Sequence, residues 1–302
     1  LIDLTTELHF FIGKGGVGKS TLAALTALSM SDCKKPAQLV SMDPAHNQSD
    51  IFGCRLSSVP QRVHPYLDVA EINCDQWIRK YLKDTQNHLK DAYRYQEAFN
   101  LHGYFDILQF APGLEEYALL LAFEQILQTA GDSNIVILDM PPTALSLKFF
   151  SLPFLSLLWL EALLKLRRDI CAAKKIISRI RFGRTTVEQD KVKARLGAMI
   201  DNHRLLCDRF RAPSTHIHLV VNPEPLSLSE AVRIRSKLDG LGLAVDRIMV
   251  NKTTAGSDLK IVQKSFQDRS MTCYPLSPER LCGAQALTNY LKNRAYTIQT
   301  EG

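Results

Sequence analysis

The chain of 302 residues has no C-x-x-C pair, no cysteine and histidine spacing of a zinc module, and an odd cysteine count of seven. Disulfide-stapled secreted domains and thiolate-bound zinc are therefore excluded, and with no recognisable secretory leader the thiols are expected to be free in a reducing cytoplasm. No collagen-like, repetitive or disordered composition occurs, and a hydrophobic content of 46% is that of a chain with a substantial core. Charge of one sign is not concentrated in a tail. The net charge is +6, and the basic residues gather in 165–195, where a solvated helix face is expected and anionic surface or nucleic acid is the lesser reading. No good membrane span is present: the most apolar run, 149–166, is short and interrupted by Pro153.

What is present begins at Gly13. The segment GKGGVGKST, 13–21, fills every position of the phosphate-loop pattern G-x-x-x-x-G-K-[ST], between an apolar strand-like run at 8–13 and a helical run at 21–30. Strand, glycine loop and helix form the arrangement that phosphate binding needs. Glycine frees the backbone to turn N–H groups onto phosphate oxygens, and the helix N-terminus adds partial positive charge in the same direction. Gly15, Gly16, Val17, Gly18, Lys19, Ser20 and Thr21 are thus expected to hold ATP, with Lys19 on the β- and γ-phosphates and the Ser20 hydroxyl on Mg2+. Lys14 exceeds what an ordinary loop requires.

Two further segments carry carboxylates to strand ends. SMDPAHNQSDIFG, 41–53, follows the apolar AQLV, which places Asp43 where open α/β sheets assemble their sites. IVILDMPPTALSLKFFSLP, 135–153, offers four apolar residues and then Asp139, a buried strand delivering a carboxylate to the magnesium shell. With GKGGVGK, the segment DPAHNQSDIFG resembles the deviant Walker A ATPases, in the branch of the ArsA arsenite-pump ATPases and the guided-entry ATPases for tail-anchored membrane proteins. ParA and MinD partition ATPases and the nitrogenase iron protein share that loop but carry other residues at the second segment. The resemblance implies that Lys14 crosses a dimer interface to the partner's nucleotide, that Asp43 positions the attacking water, and that Asn47 senses the γ-phosphate; Asp50 belongs to the same motif. It also implies that Glu224 reaches the partner's ribose, that Asn251, ending VDRIMV, reads the adenine edge, and that Pro278 covers the base. His46 is expected to be structural. In the 135–153 segment the family's Gly-His is replaced by Ala144-Leu145, which removes a residue free to take positive φ and a hydrogen-bonding ring.

Strand-like runs at 8–13, 37–42, 67–72, 133–139, 216–222, 244–250 and 271–276 predict an α/β P-loop NTPase with a mostly parallel twisted sheet flanked by helices. Residues 1–302 are read as a single P-loop ATPase domain, in which 73–130 and 150–212, helical in period and nearly free of glycine, form an α-helical insert subdomain. The apolar runs at 117–127 and 149–166 are either buried helix or the walls of a groove for an apolar client helix, and in the resembled family these places form the client groove. Its methionine richness is not matched, since only Met199 lies in the insert.

The expected function is magnesium-dependent ATP hydrolysis by a cytoplasmic homodimer holding two nucleotides at its interface, with a hydrophobic client helix or membrane-protein partner and a peripheral membrane position left open. No nucleic acid and no zinc are expected. An arsenite-pump motor and a ParA/MinD-like positioning ATPase are the alternatives. The first needs a soft-metal thiolate set, but Ala111 and Pro112 stand where the pump ATPases carry one cysteine, and Cys171 is expected to be a buried free thiol. The second needs a DNA-binding basic patch.

Overall fold

The computed structural model describes residues 6–45, 47–92, 111, 113–130, 135–182, 190–267 and 269–293; His46 and Pro112 lie outside them. β1 (Glu7–Ile12), α1 (Lys19–Asp32), β2 (Ala37–Ser41), α2 (Asn47–Phe52), β3 (Gln61–His64), β4 (Leu67–Glu71), α3 (Cys74–Ala92), α4 (Leu114–Thr129) and β5 (Ile135–Asp139) follow in order. Then come α5 (Thr143–Phe182), α6 (Lys191–Arg211), β6 (Thr215–Val221), α7 (Pro225–Gly240), β7 (Arg247–Thr253), α8 (Leu259–Ser265), β8 (Ser270–Pro275) and α9 (Ala284–Asn293). The strands form one sheet in the order β3-β4-β2-β5-β1-β6-β7-β8, and every pair except β3 with β4 is parallel.

Parallel strands covered on both faces are apolar throughout, and β1 shows this, with Leu8, Phe10, Phe11 and Ile12 all buried. One face of the sheet carries Phe11, Leu39, Ile137 and Val220 in a cluster with Leu22, Leu25 and Leu28 of α1 and Leu287 of α9. On the other, Phe10, Phe123 and Phe149 bring their ring centroids within 5.6–6.2 Å of one another. Truncating any one of these three rings to alanine removes about 3–5 kcal/mol.

Contacts divide the chain into two compact units, residues 1–149 with 213–302, and residues 150–212. In the second, Phe150 packs edge-on to Phe210, and Leu160, Ile200 and Leu206 are buried. Asp190 caps α6 by accepting from Lys193 N, and also pairs with Arg167 Nε at 3.0 Å. Cys171 forms no disulfide, as expected, but it is half-buried rather than buried and donates its thiol to Asp190 Oδ2 at 3.0 Å. None of the seven cysteines forms a disulfide.

Each of the seven expected strands is found, with one addition. β3 is an antiparallel edge strand whose exposed Gln61 and Arg62 give no apolar alternation; Arg62 and Asp68 pair across the ladder at 2.6 Å instead. β7 runs on to Thr253, which pairs with Pro275, so Asn251 lies inside the strand and does not end it. α1 begins at Lys19, two positions earlier than the apolar period suggests. Pro153 does not interrupt its helix: α5 is continuous for 40 residues, Pro153 is buried, and its neighbours are packed, Phe150 against Phe210 and Phe154 under Arg211. By length and composition Thr143–Ala173 suffices to cross a membrane, contrary to the reading from the run 149–166 alone.

Of the two readings of 117–127, buried helix or groove wall, the structure shows buried helix. Leu119, Leu120, Phe123, Ile126 and Leu127 are buried, with Phe123 against Phe10 and Phe149, because α4 covers the sheet.

Candidate nucleotide site

β5 lies between β1 and β2, with Asp139 in register with Phe11 on one side and Ser41 on the other. Three strand ends therefore deliver the phosphate loop, Asp139 and Asp43 to one edge of the sheet, where open parallel sheets bind ligands. Backbone bonds from Met140 N to Phe11 O and from Met42 N to Asp139 O continue the pairing one residue further.

The loop's glycines are dictated by close approach. A Cβ on Gly13 would lie 2.4 Å from the Val220 carbonyl oxygen, and one on Gly18, at φ 94°, would lie 2.2 Å from Asn251 Nδ2. That amide donates to Val17 O at 2.8 Å, and Lys252 Nζ donates to Gly16 O at 3.0 Å, so β7 holds the loop from below. Val17 is itself buried in the core, which leaves its backbone as the part a ligand could meet.

Behind the loop, charged side chains are buried. Lys19 is buried and donates to Lys14 O at 3.3 Å; burial pulls its ammonium below the usual lysine range, against the opposing pull of Asp139, Asp43 and Glu230. Asp139 is fully buried, and desolvation pushes it up to about 6 despite hydrogen bonds from Gln48 and Ser20 and the nearby Lys19 charge. Gln48, also fully buried, uses one amide nitrogen to bridge Ser20 O at 3.0 Å and Asp139 Oδ2 at 2.9 Å. Asp139 Oδ1 makes no hydrogen bond of good geometry among the described residues. A hard divalent cation fits this donor set, with the Ser20 hydroxyl as ligand and the Asp139 carboxylate oxygen in its shell. Asn47 Nδ2 reaches the same hydroxyl at 3.5 Å, while Glu71 accepts from both Ser49 N and Ser49 Oγ and so anchors α2 beside the loop.

The raised Asp139 pKa sets a pH dependence. Up to about pH 6 the folded protein keeps a proton that the unfolded chain releases near 3.8, so the folded state binds more protons in this window and stability falls as pH rises through it. Asp139→Asn removes this loss. Urea titrations without Mg2+ and nucleotide are expected to favour the variant over wild type by up to about 3 kcal/mol more at pH 7 than at pH 4. Parallel pH profiles would show that the carboxylate is ionised throughout.

The loop opens on a cleft of about 580 Å³. Its wall includes Gly15, Gly16, Gly18, Lys19, Ser20 and Thr21, together with Asp43, Asn47, Asp50 and Asn251. Lys14, Val17, Asp139, Glu224 and Pro278 are not part of that wall, although Ser277 and Glu279 on either side of Pro278 are; Glu224 and Pro278 are exposed. Three contributors were not anticipated. Gln48 occupies a variable position of its motif, Lys252 follows a strand residue that drew the attention, and Tyr290 comes from the last described helix. None has a local signal, because each reaches the site through folding.

A cleft of this size, a glycine loop opening a helix, a buried lysine and two carboxylates at adjacent strand ends define a P-loop nucleoside triphosphatase. The sequence profile described as Anion-transporting ATPase matches residues 6–260, and the chain belongs to that family. It is an ATP hydrolase. An Aquifex aeolicus protein provisionally named arsenical pump-driving ATPase 1 is 30% identical over 279 residues, covering 87% of this chain and 67% of its own. The ATPase ASNA1 homolog of Entamoeba histolytica is 28% identical, over 84% of this chain and 78% of its own length. ATPase get3 of Schizosaccharomyces japonicus is 27% identical over 96% and 93%.

Proposed function

We propose that the chain is a magnesium-dependent ATPase that works as a nucleotide-driven homodimer and captures an apolar helix of a client or membrane-protein partner on α5, in a helical insert subdomain. The observation that carries the partner reading is a stripe on α5. Leu155, Leu158, Trp159, Leu163, Leu166 and Ile170 are all exposed, and their spacing puts them on one side of the helix. Apolar stripes of this kind are what helix-in-groove recognition uses. A second reading, direct contact with lipid, is favoured by a mean hydropathy of 1.6 in an 18-residue stretch within Thr143–Ala173.

In hydrolysis the Lys19 ammonium neutralises charge developing on the γ-phosphate, Asn47 donates to its oxygens, and Asp43 holds the attacking water. The side chain of Asp43 is ready for this role: Oδ1 accepts from Ala45 N at 3.0 Å, which fixes the carboxylate at the cleft. Ser20 and Asp139 would hold Mg2+, which supplies charge neutralisation when bound. Asn251 has its amide N–H engaged by Val17 O, so its carbonyl is left as an acceptor suited to the adenine amino group.

Lys14 and Glu224 lie outside the cleft of their own chain, which supports roles on a neighbouring subunit's nucleotide. The test is complementation. Homodimers of Lys14→Ala and of Asp43→Asn are both expected to be inactive, whereas a mixed dimer keeps one intact site and recovers up to about half of the wild-type rate. No recovery on mixing, with dimer formation verified, removes the trans role.

The arsenite-pump alternative is disfavoured by the thiols. Cys171 is engaged by Asp190, and no three-ligand cluster among the described residues contains a cysteine. ATPase activity is accordingly expected to be unchanged by arsenite or antimonite; stimulation by either would restore that reading.

A further inference from the structure

The opposite ends of the central strands hold a second constellation. β1 and β6 run side by side with His9 opposite His216 and Phe11 opposite His218. Residues two apart on a strand share a face, so Glu7, His9, His216 and His218 all lie on the face that carries Phe11, upstream of the phosphate loop. The His9 ring stacks on His216 at 4.9 Å and on His218 at 5.2 Å. Three imidazoles in one place are costly in a sheet interior, where each buried polar atom needs a partner.

Their partners are arranged in two layers. His9 is only 6% exposed; its Nδ1 is 2.9 Å from His218 Nε2, while its own Nε2 makes no hydrogen bond of good geometry among the described residues. That Nε2 lies 3.4 Å from Glu7 Oε1, and His216 Nε2 approaches the same oxygen at 3.3 Å from the other side. The far nitrogen of His216 is 3.5 Å from Asp246 Oδ1, and Asp246 Oδ2 is held by Ile217 N at 2.7 Å.

We propose that Glu7 Oε1, His9 Nε2 and His216 Nε2 form a Zn2+ site, with His218 and Asp246 orienting the two imidazoles from behind. The three donor atoms lie within 4.8 Å of one another. A tetrahedral zinc with bonds of about 2.0–2.1 Å has ligand-to-ligand edges of about 3.3–3.4 Å, which two of the three edges here already match. The third edge closes by a turn of the half-buried His216 ring. Glu7 and His216 are partly exposed, which gives the ion a path in and leaves the fourth position to water. Outer partners that fix a ligating histidine's tautomer are the usual companions of zinc imidazoles, and both are present. The absence of C-x-x-C bears on thiolate zinc and not on this donor set.

The test is titration of the untagged, metal-stripped chain with Zn2+ by calorimetry and with Co2+ by visible absorption. One ion per chain is expected, with the strong tetrahedral cobalt bands and no thiolate-to-metal charge transfer. Glu7→Gln and His216→Ala should each abolish stoichiometric binding, and Asp246→Asn should weaken it by about ten- to a hundredfold. Zn2+ should raise the melting temperature of wild type and leave that of Glu7→Gln unmoved. Melting curves taken without metal show whether each variant is folded; Glu7, being partly exposed, is the safer of the two substitutions. Absence of stoichiometric binding, a thiolate band, or binding that survives both substitutions would overturn the proposal and leave the cluster as a hydrogen-bonded part of the core.

Discussion

Lys19→Ala is expected to lower ATP turnover by at least about 10²–10³-fold, the loss found when one preorganised charge-stabilising donor is removed from a transition state. Lys19 sits at the first turn of α1, buried, between the loop carbonyl of Lys14 and the carboxylates Asp139 and Asp43. A buried cation acts on a γ-phosphate more strongly than an exposed one, because solvent screens it less. Alanine keeps the helix, since it is the best helix former, so circular dichroism should be unchanged while turnover collapses. The fate of Asp139 provides a second readout. Lys19 is one of the groups holding its pKa down, so the variant's carboxyl should protonate at a pH above about 6, visible as a displaced pH dependence of stability. Turnover near the wild-type level would take the phosphate loop out of the reaction.

The second large effect separates two apolar helices that look alike in sequence. Leu158→Asp and Trp159→Asp are expected to leave the melting temperature within a few degrees of wild type, because both side chains are in solvent at 68% and 72% exposure. Leu120→Asp and Phe123→Asp should instead unfold the protein or cost about 3–5 kcal/mol, the penalty for an uncompensated buried charge. If the α5 stripe captures an apolar helix, the first pair also loses binding of a hydrophobic peptide, measured by fluorescence anisotropy with ATP present, while basal ATPase stays intact. Peptide binding that survives both α5 substitutions would show that capture occurs elsewhere. Loss of liposome binding with peptide binding preserved would favour the lipid reading.

Much of the candidate site was readable without a fold. The phosphate loop is legible because its constraints are local: which residues must be glycine, where a lysine must stand, and how strand turns into helix within nine positions. Asp43 and Asp139 were legible because each follows a short apolar run, and a parallel strand delivers whatever comes next to the ligand edge. Gln48 could not be found this way. Its importance lies in a bond to Asp139, 91 positions away, that no neighbouring residue announces. Lys252 is similar, meeting Gly16 across 236 positions.

The same division runs through the fold. Composition and periodicity determined by themselves that this chain forms a mostly parallel sheet with covering helices, that it presents a nucleotide loop at one strand end, and that its cysteines belong to no metal motif. These follow from interactions among residues a few positions apart, where hydrophobic period and turn chemistry suffice. Tertiary structure decided which apolar helix became core and which kept its stripe in solvent, since α4 and α5 carry similar side chains and differ in what packs on them. It carried α5 through Pro153 by packing, paired polar β3 through its edge rather than its pattern, and brought His9 against His218 across 209 positions. A histidine in a strand says nothing about its neighbours until strand order is known, because contact across a sheet is set by register and not by distance along the chain.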